Sequence, residues 1–228
     1  MLSVLDGLPE AEGKLAEAAV RGLSRGLKKV GSPLLARLTG GGKAGRVLDE
    51  LVARAKARAI DPGTPLGDRV EAVRMFALAG FDEVGDTLAG LLDSRQPQEV
   101  QTAALRALSR ARDARVGEMI VDAWGRFSPT VRGEAAEALF ARAERLPVLL
   151  TAIEQRRIGP SQLDPARIRF LLAHGDATIR RRAEKLLGAV KLARREEVVA
   201  DYRDALQLAG DRGRGKEVFK KECATCHR

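Results

Sequence analysis

Glu99-Val100-Gln101-Thr102-Ala103-Ala104, closed by Ala107-Leu108, is the stretch from which the fold is read. The same arrangement returns as Arg69-Val70-Glu71-Ala72-Val73-Arg74 with Ala77-Leu78, and as Thr130-Val131-Arg132-Gly133-Glu134-Ala135 with Ala138-Leu139. A fourth copy is Thr178-Ile179-Arg180-Arg181-Arg182-Ala183 with Leu186-Leu187. Each copy has a β-branched residue at offset 0 and apolar residues at offsets 7 and 8. These offsets share one face of an α-helix. The β-branched positions lie 30, 31 and 48 residues apart.

A second set of stripes lies between these helices. Val84, Leu88, Leu91 and Leu92 form one, Val116, Met119, Ile120 and Ala123 another, and Leu146, Leu149, Leu150 and Ile153 a third. Arg95-Gln96-Pro97, Ser128-Pro129 and Gly159-Pro160 mark the turns. Two helices in each step of about 30 residues predict an α-solenoid, since a single pair cannot bury its own apolar stripe. The 48-residue step predicts an extra helix over Pro165–Ala173, with Asp164 as its N-cap. Asp176 is expected to cap the helix that holds Ile179, and Ser128 the helix that opens at Pro129. The short, Ala-rich pairs resemble HEAT repeats, a scaffold that does not by itself specify an activity.

Composition agrees with a folded, helical chain. Of 228 residues, 45% are hydrophobic, 31% are charged and 4% are aromatic, which favours packed helices over sheets. Net charge is +9. The arginines alternate with acids, as in Arg46, Asp49, Glu50 and Arg54, which predicts solvated helix faces with some i,i+4 pairing and no nucleic-acid partner. No run of 18 apolar residues is present, so no membrane span is expected. Met1-Leu2-Ser3-Val4-Leu5-Asp6-Gly7 does not read as a signal peptide.

Outside the central repeats, residues 10–30 and 44–59 read as helices, the latter with Val47, Leu48, Leu51, Val52 and Ala55 on one face. Thr39-Gly40-Gly41-Gly42 reads as a flexible break, and residues 59–67 as a Pro- and Gly-rich linker. A helix over about 194–208 carries Val198, Val199, Tyr202, Ala205 and Leu206. Ala209-Gly210-Asp211-Arg212-Gly213 then breaks the pattern, and Gly215–Glu222 forms a short amphipathic helix leading into Cys223. The expected organisation is N-terminal helices over 1–60, HEAT-like repeats over 67–208 and a separate segment over 210–228.

The final segment carries the chemistry. Cys223-Ala224-Thr225-Cys226-His227 contains both cysteines of the chain, so the cysteine count implies no disulfide framework. Cys-x-x-Cys-His is the spacing of c-type haem attachment. Two thiols three residues apart meet the two vinyl groups of one haem, and the following imidazole can take the iron as axial ligand. Zinc would need two further ligands, with His174 the only other histidine. A redox disulfide of the thioredoxin type would follow a βαβ pattern, which is not seen here. No P-loop, Gly-x-Ser-x-Gly or His-Glu-x-x-His is present, and no enzymatic activity is expected.

Residues 210–228 resemble the opening of class I cytochrome c domains, with Gly215, Val218 and Phe219 at the places of that family's Gly-x-x-[Val/Leu]-[Phe/Tyr] helix and Cys223-Ala224-Thr225-Cys226-His227 at its attachment site. The wider order, HEAT-like pairs followed by this segment, resembles haem-binding proteins of planctomycetes and verrucomicrobia. The resemblance implies one covalent haem c on Cys223 and Cys226, with His227 on the iron. It implies an exported or periplasmic electron carrier that takes electrons from an attached or partner dehydrogenase. It also implies a distal Met ligand further along such a domain. Met75 and Met119 read as packing residues instead, so the chain is expected to be a fragment of a longer exported protein, with the cytochrome domain truncated. The alternative is a HEAT-like interaction scaffold whose haem motif is idle. His174 reads as a loop residue near a helix end, and Trp124 and Phe140 as core or groove residues.

Overall fold

The computed structural model describes residues 43–188, 202–207 and 209–224. They belong to two compact units that divide between residues 188 and 189. Ten α-helices and no strand occur among the described residues, so the chain is all-α there, as expected. The expected helix over 10–30, the break at Thr39–Gly42 and the stripe residues Val198 and Val199 lie outside the described residues. Of the helix expected over 194–208, only a 3₁₀ turn at Arg203–Gln207 is described.

In the first unit, α1 is Lys43–Ile60, α2 Leu66–Met75, α3 Phe81–Gly90, α4 Gln98–Arg110 and α5 Arg115–Ala123. Helix α6 is Pro129–Phe140, α7 Leu146–Glu154, α8 Pro165–Leu172 and α9 Ala177–Leu187. The extra helix in the long repeat step is thus α8. Helix α1 packs on α2, and α8 on α9. Helices two apart in the chain also pack together: α2 on α4, α4 on α6, α5 on α7 and α7 on α9.

The core is mostly aliphatic, with Phe76, Trp124 and Phe127 as its buried aromatic residues. Leu105 and Leu108 of α4, Ile120 of α5, Leu139 of α6 and Leu149 and Leu150 of α7 are fully buried. The buried stripe holds the expected offset 8 in all four copies, but offset 7 only at Ala138. Offsets 0, 4 and 8 are buried in three copies: Val100, Ala104 and Leu108; Val131, Ala135 and Leu139; Ile179, Ala183 and Leu187. At offset 7, Ala107 and Leu186 are only half-buried. A helix packed between two neighbours buries the line straight beneath its first anchor. The first copy departs from this pattern at its start. Val70 is half-buried, Arg74 and Ala77 are exposed, and α2 buries Arg69, Ala72 and Val73, while Leu78, at offset 8, is buried as in the other copies. The reason is Arg69: its Nε donates to the Ala59 carbonyl at 3.0 Å and Nη2 to Gln96 Oε1 at 2.5 Å.

That bond also joins α2 directly to the end of α1. The break between them covers only Asp61–Pro65, shorter than the expected linker. Asp61 closes this turn, accepting from the Gly63 amide at 2.9 Å and from Thr64 Oγ1 at 2.8 Å. Both bonds hold its carboxyl below the ordinary range, the Thr64 bond most.

The three expected caps are present. Ser128 Oγ accepts from the Val131 amide at 3.3 Å, with Pro129 at the first helical position. Asp164 accepts from the Arg167 amide at 3.0 Å. Asp176 accepts from the Thr178 amide at 2.7 Å and the Ile179 amide at 3.2 Å, which lowers its pKa, through Ile179 first. Ser128→Ala removes one of these oxygens and should cost about 1 kcal/mol, read as a lower urea midpoint with an unchanged slope.

Charge pairing departs from expectation. Arg46, Asp49, Glu50 and Arg54 are exposed on α1, as read. Among the described residues, however, no i,i+4 pair forms. The longer-range pairs cross between helices. Arg106 of α4 meets Glu134 of α6 at 2.7 Å, and Arg167 of α8 meets Glu137 of α6 at 2.9 Å. Arg182 of α9 meets Glu154 of α7 at 3.2 Å. Arg115 reaches Asp82 of α3, and Arg157 reaches Glu118 and Asp122 of α5. Short, closely stacked helices bring a neighbour's carboxylate within reach of a long Arg side chain, which the linear spacing does not display.

Candidate functional site

Residue Cys223 closes a helical stretch in the second unit. Asp211 starts it: its Oδ1 accepts from the Arg214 amide at 2.9 Å, and its carbonyl accepts from the Gly215 amide at 2.9 Å. Helix α10, Arg212–Val218, follows. Phe219–Cys223 then widens to a π turn, closed by the Ala224 amide donating to the Phe219 carbonyl at 2.9 Å. The helix expected before the motif is therefore present, and its end is π-helical. Gly215 has open space where a side chain would sit, so packing does not demand glycine there.

Val218 and Phe219, which precede Cys223, are 54% and 50% exposed. The Cys223 thiol is free and half-buried. Lys220 pairs with Glu217 at 3.3 Å, and Lys221 with Glu222 at 3.2 Å. Cys226 and His227, the other two expected haem residues, lie outside the described residues. Of the three, the structure therefore places Cys223 alone. Among the described residues, no group of three or more His, Cys, Asp or Glu side chains is arranged to hold a metal ion.

The other singled-out residues sit in the first unit. His174 occupies the turn between α8 and α9. Its Nδ1 accepts from the Asp176 amide at 3.1 Å, and its ring meets Phe170 edge-on at 5.4 Å. Its bonds thus shape a turn. Met75 and Met119 are half-buried. Trp124 is fully buried, and its Nε1 donates to Gln162 Oε1 at 3.2 Å. Phe140 is half-buried against Phe170, with ring centroids 5.7 Å apart.

Two polar features escape sequence reading. One is a shallow groove of about 120 Å³ between α4 and α6, bordered by the Arg106–Glu134 pair, Ser109 and Arg110. Its only linear trace is that Arg106 and Glu134 stand 28 residues apart, close to one repeat step. The other is Arg145, 3% exposed, in the 3₁₀ turn after α6. Its guanidinium donates to the carbonyls of Leu108 at 3.0 Å, Ser109 at 3.3 Å, Ala111 at 2.6 Å and Ala138 at 2.6 Å. Burial pushes its pKa down, and Arg142 nearby adds to this. Arginine still remains charged.

The chain matches no protein-family model, no curated protein and no solved structure.

Proposed function

We propose that this chain is a c-type haem-binding electron-transfer protein in which HEAT-like helical pairs form an α-solenoid joined to the opening segment of a class I cytochrome c domain. The solenoid reading is supported by helical pairs in steps of about 30 residues and by the packing of helices two apart. The haem reading is carried by one observation. Cys223 stands at the end of a capped helical stretch, followed in sequence by Cys226 and His227. Cys223 and Cys226 would hold the group through thioether bonds, and His227 would bind its iron. The bound group supplies one-electron chemistry; Val218 and Phe219 offer apolar surface near its point of attachment. The protein is an electron carrier rather than an enzyme. It acts outside the cytoplasm, and its partner is a redox protein or a dehydrogenase domain.

Co-expression with a cytochrome c maturation system tests this. Haem should stay with the denatured polypeptide, giving haem-dependent peroxidase staining in a denaturing gel and a sharp α-band when reduced. Cys223→Ser with Cys226→Ser should remove that stain entirely while leaving the helical circular dichroism unchanged. Retained covalent haem in the double variant, or none in the parent chain, rejects the reading. A second reading, a protein-interaction scaffold, is favoured by the groove between α4 and α6. It expects a partner captured equally by the parent chain and the double variant.

A further inference from the structure

The helix-to-helix junctions of the first unit are not held alike. At the junction of α1, α2 and α4, Arg69 is 5% exposed and bonds Ala59 and Gln96. At the junction of α4 and α6, Arg145 reaches back from the turn after α6 to three carbonyls at the end of α4. Both arginines are shielded from solvent ions. The chain stays anchored as far as Leu163, which is buried, as is Ile158, and Gln162 is bonded to Trp124.

Beyond Leu163 the polar links change character. Arg167 reaches Glu137, and Arg182 reaches Glu154 and, at 3.1 Å, Thr151 Oγ1. The Glu137 and Glu154 side chains are 72% and 51% exposed. Among the described residues, no buried polar side chain ties α8 or α9 to the helices before them. Ile168, Leu171, Ile179, Ala183 and Leu187 supply the apolar contact.

We propose that the α8–α9 pair is a salt-loosened end of this unit, held in register by the Arg167–Glu137 and Arg182–Glu154 pairs and able to open while α1–α7 stay packed. Exposed pairs are screened as ionic strength rises, whereas hydrogen bonds from a buried guanidinium are screened far less. Stacked helical units open locally where the link to the neighbour is weakest. The device belongs to residues 43–188 and is independent of haem.

Amide hydrogen exchange of the full chain, at 20 mM and 1 M sodium chloride, tests it. Protection in α8 and α9 should fall about tenfold with salt, while α4 and α6 change by less than about twofold. Arg182→Gln at 20 mM should bring α8 and α9 part of the way to their high-salt exchange, since the Arg167–Glu137 pair remains. Arg106→Gln, which breaks the exposed pair at the Arg145 junction, should leave α4 and α6 protected. Equal salt effects on all helices, unchanged exchange in α8 and α9, or equal loosening by the two variants overturns the proposal.

Discussion

Trp124→Ala is expected to cost about 4 kcal/mol, the largest loss from a single side chain in this unit. Trp124 is the only tryptophan of the chain and is fully buried. It stands where α5 passes into the 3₁₀ turn Trp124–Arg126. Its ring is the largest side chain in a mostly aliphatic core, and alanine leaves a cavity that short helices with small side chains close poorly. Its Nε1–Gln162 bond also joins this turn to Pro160–Gln162, where Gln162 Oε1 accepts the Gly159 amide at 2.8 Å as well. Trp124→Phe keeps most of the ring and forfeits the bond, so about 1–2 kcal/mol is expected. Urea unfolding followed by circular dichroism separates the two. An alanine variant within 1 kcal/mol of the parent would contradict the assigned role.

The second large effect is at Arg145. Arg145→Ala should cost about 3 kcal/mol, and Arg145→Lys about 2 kcal/mol. The acceptors explain why. Leu108 and Ser109 lie in the last turn of α4, and Ala138 in the last turn of α6, where carbonyls lack the usual amide four residues on; of the three, Leu108 also accepts from the Ala111 amide at 3.1 Å. One planar fork satisfies them together with Ala111 and places positive charge at the negative helix ends. Removing it leaves the Ser109, Ala111 and Ala138 carbonyls without this donor beneath a buried side chain. A lysine ammonium is a point charge and cannot span four carbonyls. The same urea titration reads the result. A lysine variant as stable as the parent would show that charge alone suffices and that the fork geometry does not matter.

The helical pattern was legible because burial repeats with the helical period. Val100, Val131 and Ile179 mark their helices in the linear text, and Ser128, Asp164 and Asp176 announce the starts, since capping is a local bond between neighbours in sequence. The burial of Arg69 in α2 was not legible. Arg69 reads as a surface residue in any scale of residue types, and only the carbonyl of Ala59 and the amide of Gln96 make its burial favourable. The groove between α4 and α6 was equally hidden, because its rims are polar and come from different helices.

The proposed haem motif is the reverse case. Cys223, Cys226 and His227 stand out from spacing alone, because the thioether attachment and axial ligation proposed for them would act within five consecutive residues. The sequence by itself therefore determined the all-helical class and the caps, and it alone carries the Cys-x-x-Cys-His spacing, each a matter of short-range periodicity or bonding. The tertiary structure alone decided which arginines are buried, which carboxylates they meet and which junctions are locked from inside. Those outcomes depend on where backbone carbonyls and charges of distant residues come to lie, and no local rule encodes that.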